Sequence, residues 1–490
     1  MYLNNIDFPN QILDAIQENR LVVFAGAGAS AGKPTSLPNF VDLAKKIAVD
    51  TGNVLRKEPC EVFLGALKAD GIDVNGIAAR LLSDSCLRHN ELHEAIVDLF
   101  LSPENVKIVT TNYDQMFEQV LEERTITAPV YNSPALPLGN DISGIIHIHG
   151  NVSDPKYMVV TDEDFGKAYL TEGYASQFLV KLFDTYTVLF IGYSYNDTIL
   201  RYLTRAMFRE HSANRYILTD DFTTDWHALG IAAIHYPKGK HSVMRNGIVR
   251  LGTYAKKTLW DWRNQFLEIA ENPSKDLTVE TQIDYCLTNE ERSKVLSQCI
   301  YGVGWLELLD RKGAFDGCFS DSKPVDSYDV LWANWLCDRF IGSDDYSFMS
   351  LFAKHGNRVS ICFSEIVLRK VVRKYSHLSD EYLRKYITLL DQYLTDPWLI
   401  LRLIEIAHER QFNHLSFYLF EKLFATSIRI EKRIWPDRDK LEPKHSMILP
   451  NDAAMLVKTE NGKVVMIQRF SHGKLVNSTT ETGTHLPISH

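Results

Sequence analysis

Residues 21–30 read Leu-Val-Val-Phe-Ala-Gly-Ala-Gly-Ala-Ser, and this stretch decides the fold of the N-terminal half of the chain. It opens with a continuous apolar run, which is typical of a strand buried on both faces of a parallel sheet. Gly26 and Gly28 follow directly. Glycines after such a strand let the backbone turn tightly and approach a pyrophosphate, whose charge the next helix N-terminus meets. With Ser30 in the same turn and Ala31 at the third small position, the stretch predicts a dinucleotide-binding turn. A tight strand-to-helix turn without a ligand, or the start of a hydride-transfer dehydrogenase, would give the same pattern.

Four more apolar, β-branched runs follow the same plan, and each ends in a polar turn. They lie at 106–114, 145–150, 188–194 and 215–221, with helical patterns between strands at 40–50 and 198–211. Strands that alternate with helices predict an α/β fold, here a Rossmann-like parallel sheet covered on both faces. We assign this domain to residues 1–272. We expect a helical insert at about 58–100, because that interval is too long for a simple crossover.

The second half of the chain has a different pattern. After a linker at 271–278, residues 280–445 carry apolar positions at helical spacing, as in Ser379–Leu394. This predicts an all-α domain of the helical-array kind, without a fixed repeat period, for which we expect a regulatory or sensor role. The last stretch, 446–490, breaks the helical pattern. We expect an irregular C-terminal tail there, with one candidate hairpin at 459–465.

Composition excludes several classes of protein. The net charge of −9 disfavours nucleic acid as the principal partner, because a duplex-binding protein needs a cationic face. The N-terminus lacks the pattern of a signal peptide, and no apolar run approaches the ~20 residues that cross a bilayer, so we expect a cytoplasmic protein without membrane contact. The seven cysteines include no Cys-x-x-Cys pair, which predicts reduced thiols and disfavours a zinc ribbon.

Polar side chains end three of the predicted strands. Asn112 and Asp114 follow the second strand, at the edge of the sheet where doubly wound folds bind their ligands. An ordinary turn, in which these side chains bond local backbone, is the alternative interpretation. Gly192 and Ser194 end a later strand and are candidates for a second contact to ribose or phosphate. A turn that leads into a helix would account for them equally well.

Two histidines lie in the segment 147–150, which reads His-Ile-His-Gly. Strand periodicity predicts that His147 and His149 share one face. Two ligands alone make a poor metal site, so we expect no bound metal. His149 is the better candidate for proton transfer, because it lies beside a glycine that lets a ligand approach. A hydrogen-bonded structural histidine is expected for one of the pair.

In this order, the segments GAGAS, TTNYD, HG and GYS resemble the sirtuin (Sir2) family over about residues 10–260. The variants TTNYD, MVVTDEDF and FIGYSYND are most similar to bacterial defence-associated Sir2 domains. The resemblance implies NAD⁺ as the substrate, His149 as the catalytic base, and Asn112 as the residue that orients water and the ribose hydroxyls. It further implies that Asp114 holds the nicotinamide carboxamide. Contacts to phosphate and ribose are implied for the remaining motif residues, Gly26, Ala27, Gly28, Ser30, Gly192 and Ser194.

Departures from the deacetylating sirtuins refine this expectation. The four-cysteine zinc ribbon is missing from the sequence, Val41 stands where those enzymes have arginine, and Thr111 stands where they have glutamine. Lysine deacylation is therefore disfavoured, whereas the nicotinamide–ribose chemistry is unaffected. The resemblance implies an NAD⁺ hydrolase that releases nicotinamide and ADP-ribose, acts in anti-phage defence by depleting NAD⁺, and stays off until triggered.

Two other functions remain open, and so do the partners. An NAD-dependent protein deacylase or ADP-ribosyltransferase is one alternative, and a non-catalytic scaffold that binds NAD⁺ or ADP-ribose is the other. The resemblance implies a homo-oligomer built through the Sir2 domain, together with a phage protein as trigger or a partner defence protein. Nucleic acid is not an expected partner.

Overall fold

The computed structural model describes residues 1–83, 86–137, 142–194, 214–320, 326–416, 418–419 and 422–423, and four strands between 446 and 480. The chain divides into two compact units. The first, here called the sheet unit, comprises residues 1–261 and 275–285. The second, the helical unit, comprises residues 262–274 and 286–490. Within the described ranges, no helix combines the length and the apolar character needed to cross a membrane.

The units do not meet at the predicted boundary, residue 272: residues 262–274 belong to the helical unit and residues 275–285 to the sheet unit. Hydrogen bonds explain this assignment. In the sheet unit, the hydroxyl of Tyr285 donates to Asp14, and the backbone N–H of Tyr2 donates to the Thr281 hydroxyl. In the helical unit, the Trp305 indole donates to the carbonyl oxygen of Ile269. Each segment thus belongs to the unit that satisfies its polar groups.

The sheet unit is built on seven parallel strands in the order β5-β6-β4-β3-β7-β8-β9. Their bounds are β3 (Leu21–Ala25), β4 (Lys107–Thr110), β5 (Val130–Asn132), β6 (Gly144–His147), β7 (Thr187–Ile191), β8 (Arg215–Thr219) and β9 (Ala232–His235). A short antiparallel pair, β1 (Tyr2–Leu3) and β2 (Ile6–Asp7), precedes them. The predicted Rossmann-like parallel sheet, followed by a helix-rich region, is confirmed.

Strand β3 lies at the centre of the sheet, and all five of its side chains are buried. It pairs with β4 on one side and with β7 on the other. The strand order reverses between β3 and β7, which makes their carboxyl ends a topological switch point. Open α/β sheets bind ligands in the crevice at such a point.

Helices alternate with the strands of this sheet along the chain. Those of the N-terminal half and its junction are α1 (Asn10–Gln17), α2 (Phe40–Asp50), α3 (Cys60–Ala69), α4 (Val74–Leu82), α5 (Glu91–Val97), α6 (Met116–Glu123), α7 (Asp162–Gly166), α8 (Tyr174–Thr185), α9 (His241–Ala255), α10 (Leu259–Glu268) and α11 (Leu277–Leu287). One turn of π-helix, Lys167–Thr171, continues α7. The helix expected at 198–211 lies outside the described residues.

Three helices, α3 to α5, lie in the interval where a helical insert was expected. Apolar side chains of α3 and α4 join those of α2 in one buried cluster, which also holds Met158 and Val160. The side-chain amide of Asn75 donates to the carbonyl oxygens of Pro155 and Met158, so the insert is also anchored by polar contacts. It is therefore part of the sheet unit's core.

The first long helix after the glycine turn begins where its pattern predicted. A single 3₁₀ turn, Ala27–Ala29, follows β3, and α2 begins at Phe40, the start of the predicted helix at 40–50. Pro34 and Pro38 lie in between, and proline disfavours a continuous helix because it lacks an N–H donor and clashes with the preceding turn.

The helical unit continues with α12 (Glu290–Cys299), α13 (Val303–Arg311), α14 (Ser327–Phe340), α15 (Asp345–Lys354), α16 (Ile361–Lys374), α17 (Asp380–Leu390) and α18 (Pro397–Glu409). The predicted irregular tail, 446–490, is wrong for residues 446–480. These form an antiparallel sheet of β10 (Ser446–Leu449), β11 (Ala453–Glu460), β12 (Lys463–Ser471) and β13 (Lys474–Thr480). The connection between β11 and β12 is Asn461-Gly462, a strong sequence signal for a two-residue hairpin. The runs on either side are rich in β-branched residues, which favours strands.

Candidate active site

Two glycine-containing loops meet at the switch point. The backbone N–H of Gly28 donates to the carbonyl oxygen of Gly192 at 2.9 Å, and that of Gly26 donates to Ile191 at the same distance. A Cβ atom on Gly28 would lie 2.8 Å from the Cα of Gly192, whose own φ of +79° favours glycine. Close packing of the two loops therefore requires these glycines, whether or not a phosphate binds.

A cavity of about 680 Å³ opens over these loops. This volume is within the range of about 300–1,000 Å³ typical of small-molecule sites. Four of the predicted residues line it: Ala27, Gly28, Gly192 and Ser194. The other walls include the carboxyl end of β8 at Leu218–Asp220 and the start of α9 at His241–Arg245. The cavity walls carry both signs of charge.

A second, smaller cavity of about 40 Å³ adjoins the first, because Ala27, Leu37 and Pro38 line both. Its polar wall is formed by Ser30 and residues 111–114, and its apolar wall by the side chains Phe40, Leu43 and Leu82. The second predicted motif, which contains Asn112 and Asp114, therefore lies at the small cavity.

The side chain of Asn112 has one fixed orientation at the small cavity. Its Nδ2 atom donates to the carbonyl oxygen of Gly26 at 3.2 Å and to the hydroxyl of Ser30 at 3.1 Å. Both amide protons are thereby used. Among the hydrogen bonds of the described residues, none is accepted by Oδ1 of Asn112. The amide thus offers the small cavity an acceptor.

Ser30 joins three side chains. Its hydroxyl donates to Oδ2 of Asp114 at 2.9 Å, accepts from Asn112, and lies 3.1 Å from Nε2 of His93. Because Nδ1 of His93 accepts the backbone N–H of Asn90, the proton of the neutral ring is on Nε2, which donates to Ser30. Burial lowers the pKa of His93 to about 3, so the ring stays neutral. The hydroxyl is saturated, and a direct contact to phosphate or ribose would require one of these bonds to break.

This cluster is not a hydrolytic triad, although it contains serine, histidine and aspartate. In a triad the serine donates its proton to histidine, and the carboxylate binds the other ring nitrogen. Here Asp114 binds the serine directly, and its Oδ1 accepts the backbone N–H of Met116 at 3.2 Å. Burial raises the pKa of the Asp114 carboxyl, against the hydrogen bonds from Ser30 and Met116. The arrangement positions side chains and does not activate a nucleophile.

His147 is the structural histidine of the predicted pair. Its Nδ1 donates to the backbone carbonyl of Asn112 at 3.1 Å, and its Nε2 lies 2.7 Å from Oε1 of Glu118. Burial opposes the charged ring, but the hydrogen bond and charge of Glu118 outweigh it and raise the pKa of His147. The ring therefore holds the backbone of Asn112 in place.

His149 has no hydrogen bond to Asn112 among the described residues. Strand β6 ends at His147, so strand periodicity does not determine where the His149 side chain lies relative to His147. The His149 side chain is fully buried and lines neither cavity. Its Nε2 lies 2.8 Å from the hydroxyl of Tyr169, and its Nδ1 has no hydrogen-bond partner among the described residues. Burial lowers the pKa of His149 to about 3.

The structure thus sorts the predicted residues into three places. Gly26, Ser30, Asn112 and Asp114 form one hydrogen-bonded network, four others line the large cavity, and His149 is separate. Sequence reasoning missed His93, which enters the network from the helical insert. A single histidine in an amphipathic helix gives no signal of such a contact. Within the described part of the chain, no three His, Cys, Asp or Glu side chains are grouped in a way that could hold a metal ion.

Comparison with known proteins shows what the region around this site is similar to. Residues 106–229 match the SIR2-like domain. An uncharacterised protein, y4cA, of Sinorhizobium fredii is 31% identical over 229 residues, which are 41% of this chain and 18% of that protein. The NAD(+) hydrolase ThsA of Acinetobacter baumannii is 24% identical over 221 residues, which are 43% of this chain and 44% of that protein.

The chain therefore spans less than half the length of either of these curated relatives. The matched region includes β4 to β8, with Asn112 and Asp114 at the small cavity and Gly192 at the large one. Together with the seven-stranded sheet, the match shows that the sheet unit carries a SIR2-like domain.

Proposed function

We propose that the sheet unit binds NAD⁺ and hydrolyses the bond between nicotinamide and ribose, releasing nicotinamide and ADP-ribose. The observation that carries this proposal is the fixed amide of Asn112, whose free acceptor Oδ1 lies at the inner end of a nucleotide-sized crevice. Similarity to ThsA, which is named an NAD(+) hydrolase, supports the same reaction. The large cavity over the glycine loops would hold the ADP part, and the small cavity would receive the nicotinamide ribose.

The proposed cleavage needs no strong general acid. Nicotinamide leaves from a ring that is already cationic, so the protein has to position the cofactor, stabilise positive charge on the ribose and place a water molecule. Oδ1 of Asn112 can accept a hydrogen bond from that water or from a ribose hydroxyl and so orient it. Asp114, when ionised, gives this end of the site a negative potential, which favours the cationic transition state.

His149 fits this reaction only after a rearrangement. A buried ring with a pKa of about 3 is a poor base at neutral pH, because general bases work best with a pKa near the working pH. To reach a ribose hydroxyl, it must leave Tyr169 and become accessible from the crevice. We therefore propose that the described state is the inactive one, and that a trigger moves the segment 162–171.

We extend this proposal to the biological role. An enzyme that destroys NAD⁺ harms its own cell if it is always active, so the buried His149 supports a protein that is kept off until triggered. We propose anti-phage defence by NAD⁺ depletion, assembly through the sheet unit into a homo-oligomer, and a sensor role for the helical unit toward a phage protein or a partner defence protein. NAD⁺ levels in infected cells and the solution mass of the chain test these points.

The reaction is tested with purified full-length chain incubated with NAD⁺, its products being separated by chromatography. Under the condition in which wild type is active, in purified form or in phage-infected cells, we expect equal amounts of nicotinamide and ADP-ribose from wild type, and neither product from Asn112→Ala or His149→Ala. Asn334→Ala, in the helical unit, is the matched control and should behave as wild type. An acyl-lysine peptide in the same assay separates deacylation, because an acylated ADP-ribose would then replace free ADP-ribose. If NAD⁺ is bound but stays intact, in the purified protein and in infected cells alike, the hydrolase proposal is wrong.

A further inference from the structure

The helical insert contacts the end of the glycine turn through the N-terminus of α5. The side-chain amide of Asn90 donates to the carbonyl oxygen of Ala29 at 2.9 Å, and the ring of His93 contacts the hydroxyl of the next residue, Ser30. One turn of helix thus holds both the backbone and the side chain at the end of the glycine turn.

We propose that His93 is a positioning residue, which acts through Ser30 to fix the side-chain orientation of Asn112. This inference rests on the NAD⁺ cleavage proposed above and assigns a role to a residue of the insert. His93 lines neither of the two cavities, so it is not placed to touch the substrate.

The hydrogen bond between Asn90 and His93 determines where the protons of this network lie. Nδ1 of His93 accepts the backbone N–H of Asn90 at 3.1 Å, so Nε2 must carry the ring proton and donate to Ser30. The two acceptor sites of the Ser30 hydroxyl are then filled by His93 and Asn112, and its single proton goes to Asp114. Each donor and acceptor of this hydroxyl has one partner, and no proton is left to choose between two positions.

The ring itself is rigidly held. It is fully buried, and its edge packs against Phe117 with ring centroids 4.9 Å apart and an interplanar angle of 80°. Loss of the Nε2 donor would leave the Ser30 hydroxyl with two bonds in place of three, so its χ1 rotamer would be less restricted. Ser30 would then hold Nδ2 of Asn112 less firmly, and the Gly26 carbonyl oxygen would be the one fixed acceptor left of the two that orient this amide.

Reversing the Asn112 amide has a clear chemical cost. Oδ1 would face the carbonyl oxygen of Gly26, where two acceptors repel, and Nδ2 would face the small cavity. The acceptor that the proposed reaction needs would be replaced by a donor. His93 therefore affects the rate of bond cleavage more than the binding of NAD⁺, most of which takes place in the large cavity.

Two substitutions separate this role from a structural one. His93→Asn keeps an oxygen near the position of Nδ1 and can still accept the Asn90 N–H, but it cannot reach Ser30. His93→Gln places a side-chain N–H near the position of Nε2 and can restore the bond to Ser30. His89→Asn, four residues earlier and paired with Glu123, is the matched control.

We expect His93→Asn to lower kcat by about 10- to 100-fold with KM for NAD⁺ nearly unchanged, because small misplacement of a reacting group can cost about 10²-fold. His93→Gln should recover most of kcat, and His89→Asn should match wild type. The positioning role is wrong if His93→Asn keeps the wild-type kcat, or if the Asn and Gln variants lose activity equally while melting at the same temperature.

A second measurement does not depend on turnover. Nitrogen NMR of ¹⁵N-histidine-labelled protein should show a neutral ring protonated on Nε2 whose signal is unchanged between pH 5.5 and 8.5 and is absent from His93→Asn, whereas the signal of the second buried ring, His149, remains in that variant. A proton on Nδ1, or titration in this range, would overturn the proposed network even if NAD⁺ is cleaved. If the wild type shows this signal but cleaves no NAD⁺, the proposed reaction fails and the network stands.

Discussion

The side-chain amide of Asn112 donates to the hydroxyl of Ser30 at 3.1 Å, and this bond joins the ends of two neighbouring strands, β3 and β4. The two residues are 82 positions apart in the sequence. Their contact fixes which atom of Asn112 faces the small cavity, so the catalytic proposal depends on it directly.

Removing the Ser30 hydroxyl should damage both stability and activity. Ser30→Ala leaves Oδ2 of Asp114, one N–H of Asn112 and Nε2 of His93 without their partner. Because unsatisfied buried polar groups cost about 1–3 kcal/mol each, we expect a clear fall in the free energy of unfolding and at least a tenfold loss of NAD⁺ cleavage. Urea denaturation measures the first effect and nicotinamide release the second.

The control for that variant is Ser350→Ala in α15, where an exposed serine donates only to its own helix. A surface change of this kind is expected to stay within about 0.5 kcal/mol. Equal stability of Ser30→Ala and wild type would contradict the three-bond network.

Close packing of the two loops predicts the effect of Gly28→Ala. The new methyl group would lie 2.8 Å from Gly192 Cα and 2.9 Å from its carbonyl oxygen, so the loops must separate. We expect weaker NAD⁺ binding, measured by isothermal titration calorimetry, and a lower melting temperature. Val49→Ala in α2 is the control, because this side chain is exposed and such surface substitutions are expected to stay within about 0.5 kcal/mol. Unaltered binding in Gly28→Ala would show that the loops do not form the nucleotide site.

Removal of the Tyr169 hydroxyl is predicted to raise the activity of the untriggered protein. Tyr169→Phe deletes the only hydrogen-bond partner that the His149 side chain has among the described residues, and should cost about 1 kcal/mol of stability. If the bond keeps His149 buried, its loss favours the accessible position. We expect faster NAD⁺ cleavage by the untriggered protein. Slower cleavage, with folding intact, would show that Tyr169 assists the reaction and does not restrain it.

Because two histidines are buried as neutral rings, the stability of the fold is predicted to fall at acidic pH. His93 and His149 each have a pKa lowered to about 3, whereas an unfolded histidine has a pKa of about 6.5. Between these values the unfolded chain binds more protons, so the free energy of unfolding falls as the pH falls below about 6.5. His93→Asn removes one such group and should therefore flatten this dependence. An unchanged slope between pH 6.5 and 4.5, measured by urea denaturation, would mean that His93 is not buried as a neutral ring.

Much of the fold could be predicted because its central strands are buried on both faces. The continuous apolar run of 21–25 has no other common explanation so close to a glycine turn. The edge strands 130–132 and 232–235 were missed because they are short and partly exposed, which leaves little pattern. The sheet at 446–480 was missed because polar residues interrupt its strands, although Asn461-Gly462 indicated one hairpin.

Some residues of the candidate site could likewise be predicted from the sequence, and others could not. Asn112, Ser30 and Asp114 could be predicted as neighbours, because the carboxyl ends of adjacent parallel strands share one edge. The position of His149 could not, since it depends on where β6 ends and on how Tyr169 packs. His93 was beyond sequence reasoning, because only tertiary packing of the insert brings α5 to the glycine turn.

The central claim is that a fixed amide at residue 112 makes NAD⁺ cleavage feasible. The most direct test is the rate of nicotinamide release by Asn112→Asp at saturating NAD⁺, compared with wild type under the condition in which wild type is active. The variant keeps the shape and an oxygen acceptor, but it replaces the donor that binds Gly26 and Ser30. We predict a loss as large as that of Asn112→Ala, with the fold intact. Wild-type turnover by Asn112→Asp would contradict the claim.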